Sequence, residues 1–273
     1  MKSHGSCLLI GGLCGILTGC GGGGSGSQAA NPARMDQPVK PAGGALPDPS
    51  PGQAADAFQF HTPAPHAPSL PHDPADAAAL GTAGGFGDGA AVLVYADHQQ
   101  QRYVLLGRRS RWLSGSGHWG VFGGGVDAGD TDDTGQPSFA RAAEHELYEE
   151  SVSIYHQTDA RALRQCPSHL KTAAGGARYR TFFARQDFIP ETRFNAGAAY
   201  ANQHLNAPGD RKYKENDRFL WVRLSDLAAC SQQGTPQASF TDALGHARTL
   251  RLWSGFWRTL READFRQTLS QLP

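Results

Sequence analysis

The sequence predicts an α/β chain, on three observations. Two apolar runs, Ala90-Ala91-Val92-Leu93-Val94-Tyr95 and Tyr103-Val104-Leu105-Leu106-Gly107-Arg108-Arg109-Ser110, have the length and composition of buried strands. Residues 142–150 carry helical spacing between these strands and a third strand-like run at 177–185. Near the C-terminus, Trp253, Phe256, Trp257 and Leu260 follow a three-and-four rhythm that Phe265, Leu269 and Leu272 continue. Strands and helices therefore alternate. That C-terminal stripe reads as a helix packed on the sheet, with a partner-binding surface as the alternative.

The helix at Ala142-Ala143-Glu144-His145-Glu146-Leu147-Tyr148-Glu149-Glu150 carries the chemistry. Residues three and four apart are neighbours on a helix, so Glu146, Glu149 and Glu150 converge on one side. Carboxylates brought together repel one another unless a cation lies between them. Oxygen-only ligands favour a hard ion such as magnesium or manganese. The plain alternative is a solvated acidic helix face. Upstream, Trp119-Gly120-Val121-Phe122 leads into Gly123-Gly124-Gly125-Val126-Asp127-Ala128-Gly129-Asp130, a loop that lets backbone approach a ligand closely.

Together these residues resemble the Nudix box, G-x5-E-x7-R-E-U-x-E-E-x-G-U with U aliphatic. Gly124 stands for the first glycine and Asp130 for the first glutamate; His145, Glu146, Leu147, Glu149 and Glu150 stand for R-E-U-E-E. The departures are specific. Asp130 replaces glutamate, His145 replaces arginine, and Val152 and Ser153 replace the closing glycine and aliphatic residue. Phe122 stands where proline often precedes the glycines, and about seven extra residues, roughly 132–138, precede the helix. If Ser138 caps that helix, the insertion loops outward; otherwise Asp130 is displaced. The order of elements from residue 86 onward is also similar to the family's, including the strand and short helix at Phe219-Leu220-Trp221-Val222-Arg223-Leu224-Ser225-Asp226-Leu227.

The resemblance implies a fold of the α+β type, a Nudix-like mixed β-sheet sandwiched between α-helices. It implies a divalent-metal-dependent hydrolase that cleaves the pyrophosphate linkage of a nucleoside diphosphate derivative by water attack on phosphorus. Glu149 and Glu150 would be the principal ligands of Mg2+ or Mn2+, Glu146 a further ligand or base, and a backbone carbonyl at Gly124 would complete the set. Glu215 occupies the place of a loop carboxylate that binds metal or activates water, with Asp217 as its rival and an ordinary surface glutamate as the alternative. Arg108 and Arg109 are candidates for substrate phosphates or for plain solvation. His145 would take over the arginine's role of orienting the glutamates, so His145→Arg should keep or raise metal-dependent activity. The rival functions are a Nudix-fold binding module tethered to the envelope and a structural envelope lipoprotein.

Composition bounds the rest. With 25 basic and 25 acidic residues, nothing argues for bulk electrostatic binding to nucleic acid. Residues 1–20 read as an export signal: Lys2, an apolar run over 7–17, then Leu17-Thr18-Gly19-Cys20, which resembles the bacterial lipobox. That resemblance implies lipidation of Cys20 and a membrane-anchored envelope protein, with the cytoplasm as the location if the leader is misassigned. Residues 21–85, rich in Gly, Pro and Ala, read as a flexible linker in which His61, His66 and His72 are solvated. The folded domain is expected over 86–273. Cys166 and Cys230 could pair or stay free. Val152-Ser153-Ile154-Tyr155 reads as a strand, and the polar stretch 189–214 as a long functional loop or lid.

Overall fold

The computed structural model describes residues 58, 60, 61, 70, 71, 87–173 and 175–273. Cys20, His66 and His72 lie outside the described residues. Among the described residues no helix is long and apolar enough to cross a membrane.

Seven strands form one mixed sheet around β1 (Gly89–His98). On one side β1 runs parallel to β6 (Arg178–Arg185), whose outer edge carries antiparallel β5 (Ser168–Thr172). On its other side β1 pairs with β2 (Gln101–Arg109) only from Tyr95↔Val104 to His98↔Gln101. Beyond that point the two strands part. β4 (Phe122–Gly125) takes up β1 from Gly89↔Gly125 to Val92↔Phe122, and β3 (Trp119–Gly120) takes up β2 at Gly107 and Arg108. β7 (Asn216–Arg223) closes the outer side of β2. The glycine loop is thus threaded into the gap where the central strands separate.

Both faces of the sheet are buried, which is why β1 and β2 are apolar throughout rather than alternating. Val92, Val94, Leu105, Phe219 and Trp221 face one side, where α1 (Phe139–Glu150) and α3 (Glu191–His204) contribute Phe139, Ala143, Leu147, Phe194 and Ala198. Leu93, Tyr95, Val104, Leu106 and Phe183 face the other. There α4 (Leu224–Cys230), α5 (Ser254–Leu260), α6 (Ala263–Ser270) and the hairpin β8 (Gln237–Thr241)–β9 (Ala247–Arg251) supply Leu227, Phe256, Leu260, Phe265 and Leu250. The mixed sheet between helices is the expected class. The hairpin and the short helix α2 (Ala160–Arg164) are additions to it.

The insertion loops outward. Thr131 and Pro137 form an isolated bridge, and the Ser138 N–H donates to the Asp130 carbonyl at 2.7 Å, pinching off the excursion. Ser138 is in extended conformation and its hydroxyl accepts from the Arg141 N–H at 3.4 Å, so it caps α1.

Two expectations are corrected. Residues 152–155 form a turn, not a strand: Val152 (φ +53°) and Ser153 (φ +61°) are left-handed, and the Ser153 N–H returns to the Tyr148 carbonyl at 2.8 Å to close α1. Buried Val152 adopts this backbone despite its branched side chain. The stretch 189–214 is no open loop. It holds α3 and the 3-10 helix Pro208–Lys214, and the Asn195 amide fastens α3 to β7 by accepting from the Phe219 N–H at 2.8 Å.

Cys166 and Cys230 are free thiols on opposite faces of the sheet. Residues read as linker lie on the folded body. Leu70 is fully buried against the α1 side, its N–H donates to Asp133 Oδ1 at 2.6 Å, and its carbonyl accepts from the Asp133 N–H at 2.8 Å. Phe60 packs edge-on to Tyr213, and the His61 ring stacks on His156. The insertion therefore holds Leu70 through Asp133. Leu70→Ala should destabilise the chain by about 2 to 4 kcal/mol; an unchanged urea midpoint would contradict this placement.

Candidate active site

The parted ends of β1 and β2 leave room for Gly123 and Gly124 to run beneath the C-terminal half of α1. Glu150, with 4% of its surface exposed, accepts from the Gly123 N–H at 2.6 Å through Oε2. A Cβ on Gly124 would stand 2.1 Å from Glu146 Oε1, so any side chain there would displace the Glu146 carboxylate. Glu215 follows the 3-10 helix, and its carbonyl accepts from the Ser110 N–H at 2.8 Å, bringing its side chain to the same place.

The electrostatics show the crowding. Burial, then the charges of Glu149 and Glu215, push the Glu146 carboxyl up to about 8. Burial, with Glu146 and Glu215 as neighbours, holds Glu150 well above the usual carboxylate range despite the Gly123 hydrogen bond. Burial also raises Glu215, opposed by Arg109. Arg109 opposes the shifts at Glu150 and Glu215, with Arg211 also acting on Glu215; the Arg109 Nε donates to the Ser114 carbonyl at 3.0 Å and its guanidinium lies 5.2 Å from the Trp253 ring centroid.

The other expected residues fall into place around this centre. Glu149 forms an ion pair with Lys212 of the 3-10 helix. Arg108 pairs with Asp217 at 2.7 Å, whereas Glu215 lies close enough to Glu146 and Glu150 to raise both. His145 Nδ1 stands 2.5 Å from Asp130 Oδ1, and that hydrogen bond raises the imidazolium pKa. Asp130 is buried and also accepts from the Asp127 N–H at 2.7 Å, so the histidine ties the helix to the glycine loop.

An open cleft leads away from the acids. Two adjoining recesses of about 490 and 650 Å³ share Arg109, Gly123, Tyr179 and Trp253; Glu150 lines the first and Glu215 the second. Tyr179, Asn216, Trp253 and Lys212 were not legible as site residues. Trp253 belongs to the C-terminal aromatic stripe, yet it precedes α5 and lines the cleft, while Phe256 and Leu260 enter the core as expected.

Among the described residues no three His, Cys, Asp or Glu side chains stand in a metal-ligating arrangement. The donor chemistry nevertheless fits a hard divalent cation: buried, mutually repelling carboxylate oxygens beside a glycine backbone, with Arg109 acting on Glu150 and Glu215.

No protein-family model matches the chain, and no curated protein does. Among solved structures it is similar to a C. elegans Ap4A hydrolase in a binary complex (15% identity, TM-score 0.33, 52% of this chain and 84% of that one). It is also similar to a NUDIX hydrolase from Alicyclobacillus acidocaldarius (16%, 0.37, 68% and 96%) and to the NUDIX domain of Shewanella oneidensis NrtR complexed with ADP ribose (20%, 0.32, 52% and 76%). At such identities and TM-scores these matches carry no weight for activity.

Removing the imidazole leaves buried Asp130 short of a partner, so His145→Ala should cost about 1 kcal/mol in denaturant unfolding. His145→Arg should restore most of that loss; an arginine variant no more stable than the alanine one would contradict the pairing role.

Proposed function

We propose that the chain is a Nudix-type pyrophosphohydrolase acting on a nucleoside diphosphate derivative. The observation that supports this best is the gathering of Glu146, Glu150 and Glu215 around Gly123 and Gly124 at the head of an open cleft, with Arg109 facing them. Phosphoryl transfer needs positioning and charge neutralisation more than covalent help, and this site is built for both. Glu149 and Glu150 would hold Mg2+ or Mn2+, with Glu146 and the Gly124 carbonyl completing the set. When bound, the ion neutralises diphosphate oxygens and acidifies the attacking water.

The chain's own residues do the rest. Arg109 binds non-bridging phosphate oxygens through its planar fork. Glu215, raised by burial, takes the proton of the attacking water, with Glu146 as the other group placed to do so. The Gly123 N–H fixes Glu150, and the His145–Asp130 pair fixes the helix against the loop. Lys212 must exchange Glu149 for solvent or substrate phosphate before Glu149 can ligate a cation. In this reading a lipid on Cys20 holds the enzyme at the cell envelope, and the substrate is a small nucleotide rather than nucleic acid.

The Lys212–Glu149 pair also favours a second reading, a Nudix-fold binding module that grips its ligand without turning it over. Turnover separates the two. With Mg2+ or Mn2+ the purified chain should release phosphate product from nucleoside diphosphate derivatives, and Glu149→Gln or Glu150→Gln should lower kcat about a hundredfold or more. Rates equal to the wild type in both variants, or ligand binding with no turnover by the wild type, would sink the hydrolase.

A further inference from the structure

We infer that the recess between Asn216 and Trp253 is a base-recognition subsite, and that these two residues set the specificity of the reaction. This rests on the hydrolase reading for the place of the diphosphate.

Asn216 opens β7 next to Glu215, opposite Arg109 in the β2–β7 register. It is 95% buried, with 5% of its surface exposed, and it lines the cleft. Its amide lies flat over Gly107, where an added Cβ would stand 2.6 Å from Cγ. Among the described residues no group hydrogen-bonds that amide. Its polar atoms stay open to the cleft, where a ligand can meet them. One donor and one acceptor, side by side and held rigid, match the edge of a heterocyclic base.

Trp253 supplies a stacking surface on the same cleft. It is 36% exposed and held in place from several directions: its ring lies under the Arg109 guanidinium, and Cβ atoms on Gly115 and Gly255 would stand 3.0 and 2.7 Å from it. Between Trp253 and Asn216 the wall is formed by Gly107 and Gly120, which leave a slot without side chains. About 490 Å³ is within the range of small-molecule sites.

The cations further along the cleft argue against a run of extra phosphates there. Two of the three are already paired with acids, Lys171 with Glu262 and Arg178 with Asp88 at 2.9 Å, while Arg258 donates through Nε to the Ser254 carbonyl at 3.2 Å. A neutral, planar, hydrogen-bonding ring suits this recess better than a polyphosphate tail.

The test is calorimetric titration of the full chain, with Mg2+, by AMP, GMP, CMP, UMP and ribose 5-phosphate. At least one nucleotide should bind about tenfold or more tightly than ribose 5-phosphate. Trp253→Ala and Asn216→Ala should each weaken that binding about tenfold, while Trp253→Phe keeps most of it. Asn216→Asp, which swaps a donor for an acceptor in the same shape, should reorder the four nucleotides; a purely structural role would leave their order alone. The inference is overturned if ribose 5-phosphate binds as tightly as every nucleotide. It is equally overturned if the folded variants bind like the wild type with the order unchanged. Turnover assays keep this separate from the hydrolase reading. Nucleotide binding that depends on Trp253 in a chain that hydrolyses nothing leaves the subsite standing and the hydrolase fallen. Hydrolysis of base-free pyrophosphates at the same rate does the reverse.

Discussion

The contact between the Glu150 carboxylate and the Gly123 N–H ties chemistry to fold. It forms only because β1 and β2 part after Tyr95 and Val104, which lets β3 and β4 enter and places glycine backbone beneath α1. The cost is a carboxylate taken almost wholly out of water beside two others, and one backbone hydrogen bond does not offset such a charge. Stability alone gives no reason to keep it. A strained, charge-laden helix end is the kind of local conflict that folds tolerate where they act.

Much of the surrounding structure positions that helix. Ser138 caps its start, the Thr131–Pro137 bridge keeps the insertion out of the way, and Asp130 and His145 clamp the loop to it. Its end is closed by Val152 and Ser153 in left-handed conformations. His145 Nδ1 and Asp130 Oδ1 stand 2.5 Å apart, so the imidazole ties the helix to the glycine loop directly.

The strands β1 and β2, the acidic helix and the glycine loop were legible because each depends on local spacing: buried runs, neighbours three and four apart, and consecutive glycines. What was missed depends on tertiary placement. Residues 152–155 have the branched and aromatic composition of a strand, but helix closure overrides it. In α3 the buried face is Phe194, Gly197, Ala198 and Ala201, too small to mark a periodicity among polar neighbours. Leu70 is one apolar residue in a Pro- and Ala-rich stretch, and only its pairing with Asp133 brings it into the core. In the site, Glu146, Glu150 and Glu215 lie close enough to influence one another, while Glu149, expected beside Glu146 and Glu150, turns to Lys212 and Arg108 turns to Asp217. Asn216 and Trp253 could not be read from the chain, since one depends on the β2–β7 register and the other on the loop crossing Trp119.

The central claim is that this carboxylate cluster exists to hold a divalent cation. The most direct measurement is the thermal midpoint of the purified chain with and without Mg2+ or Mn2+, beside Glu150→Gln. A cation bound only by the folded chain adds about 2.7 kcal/mol at a hundred times its Kd. The account predicts a clear rise in the wild-type midpoint with metal, and a variant more stable than wild type without metal but little affected by it. A wild-type midpoint indifferent to both ions, together with no gain from Glu150→Gln, would contradict it.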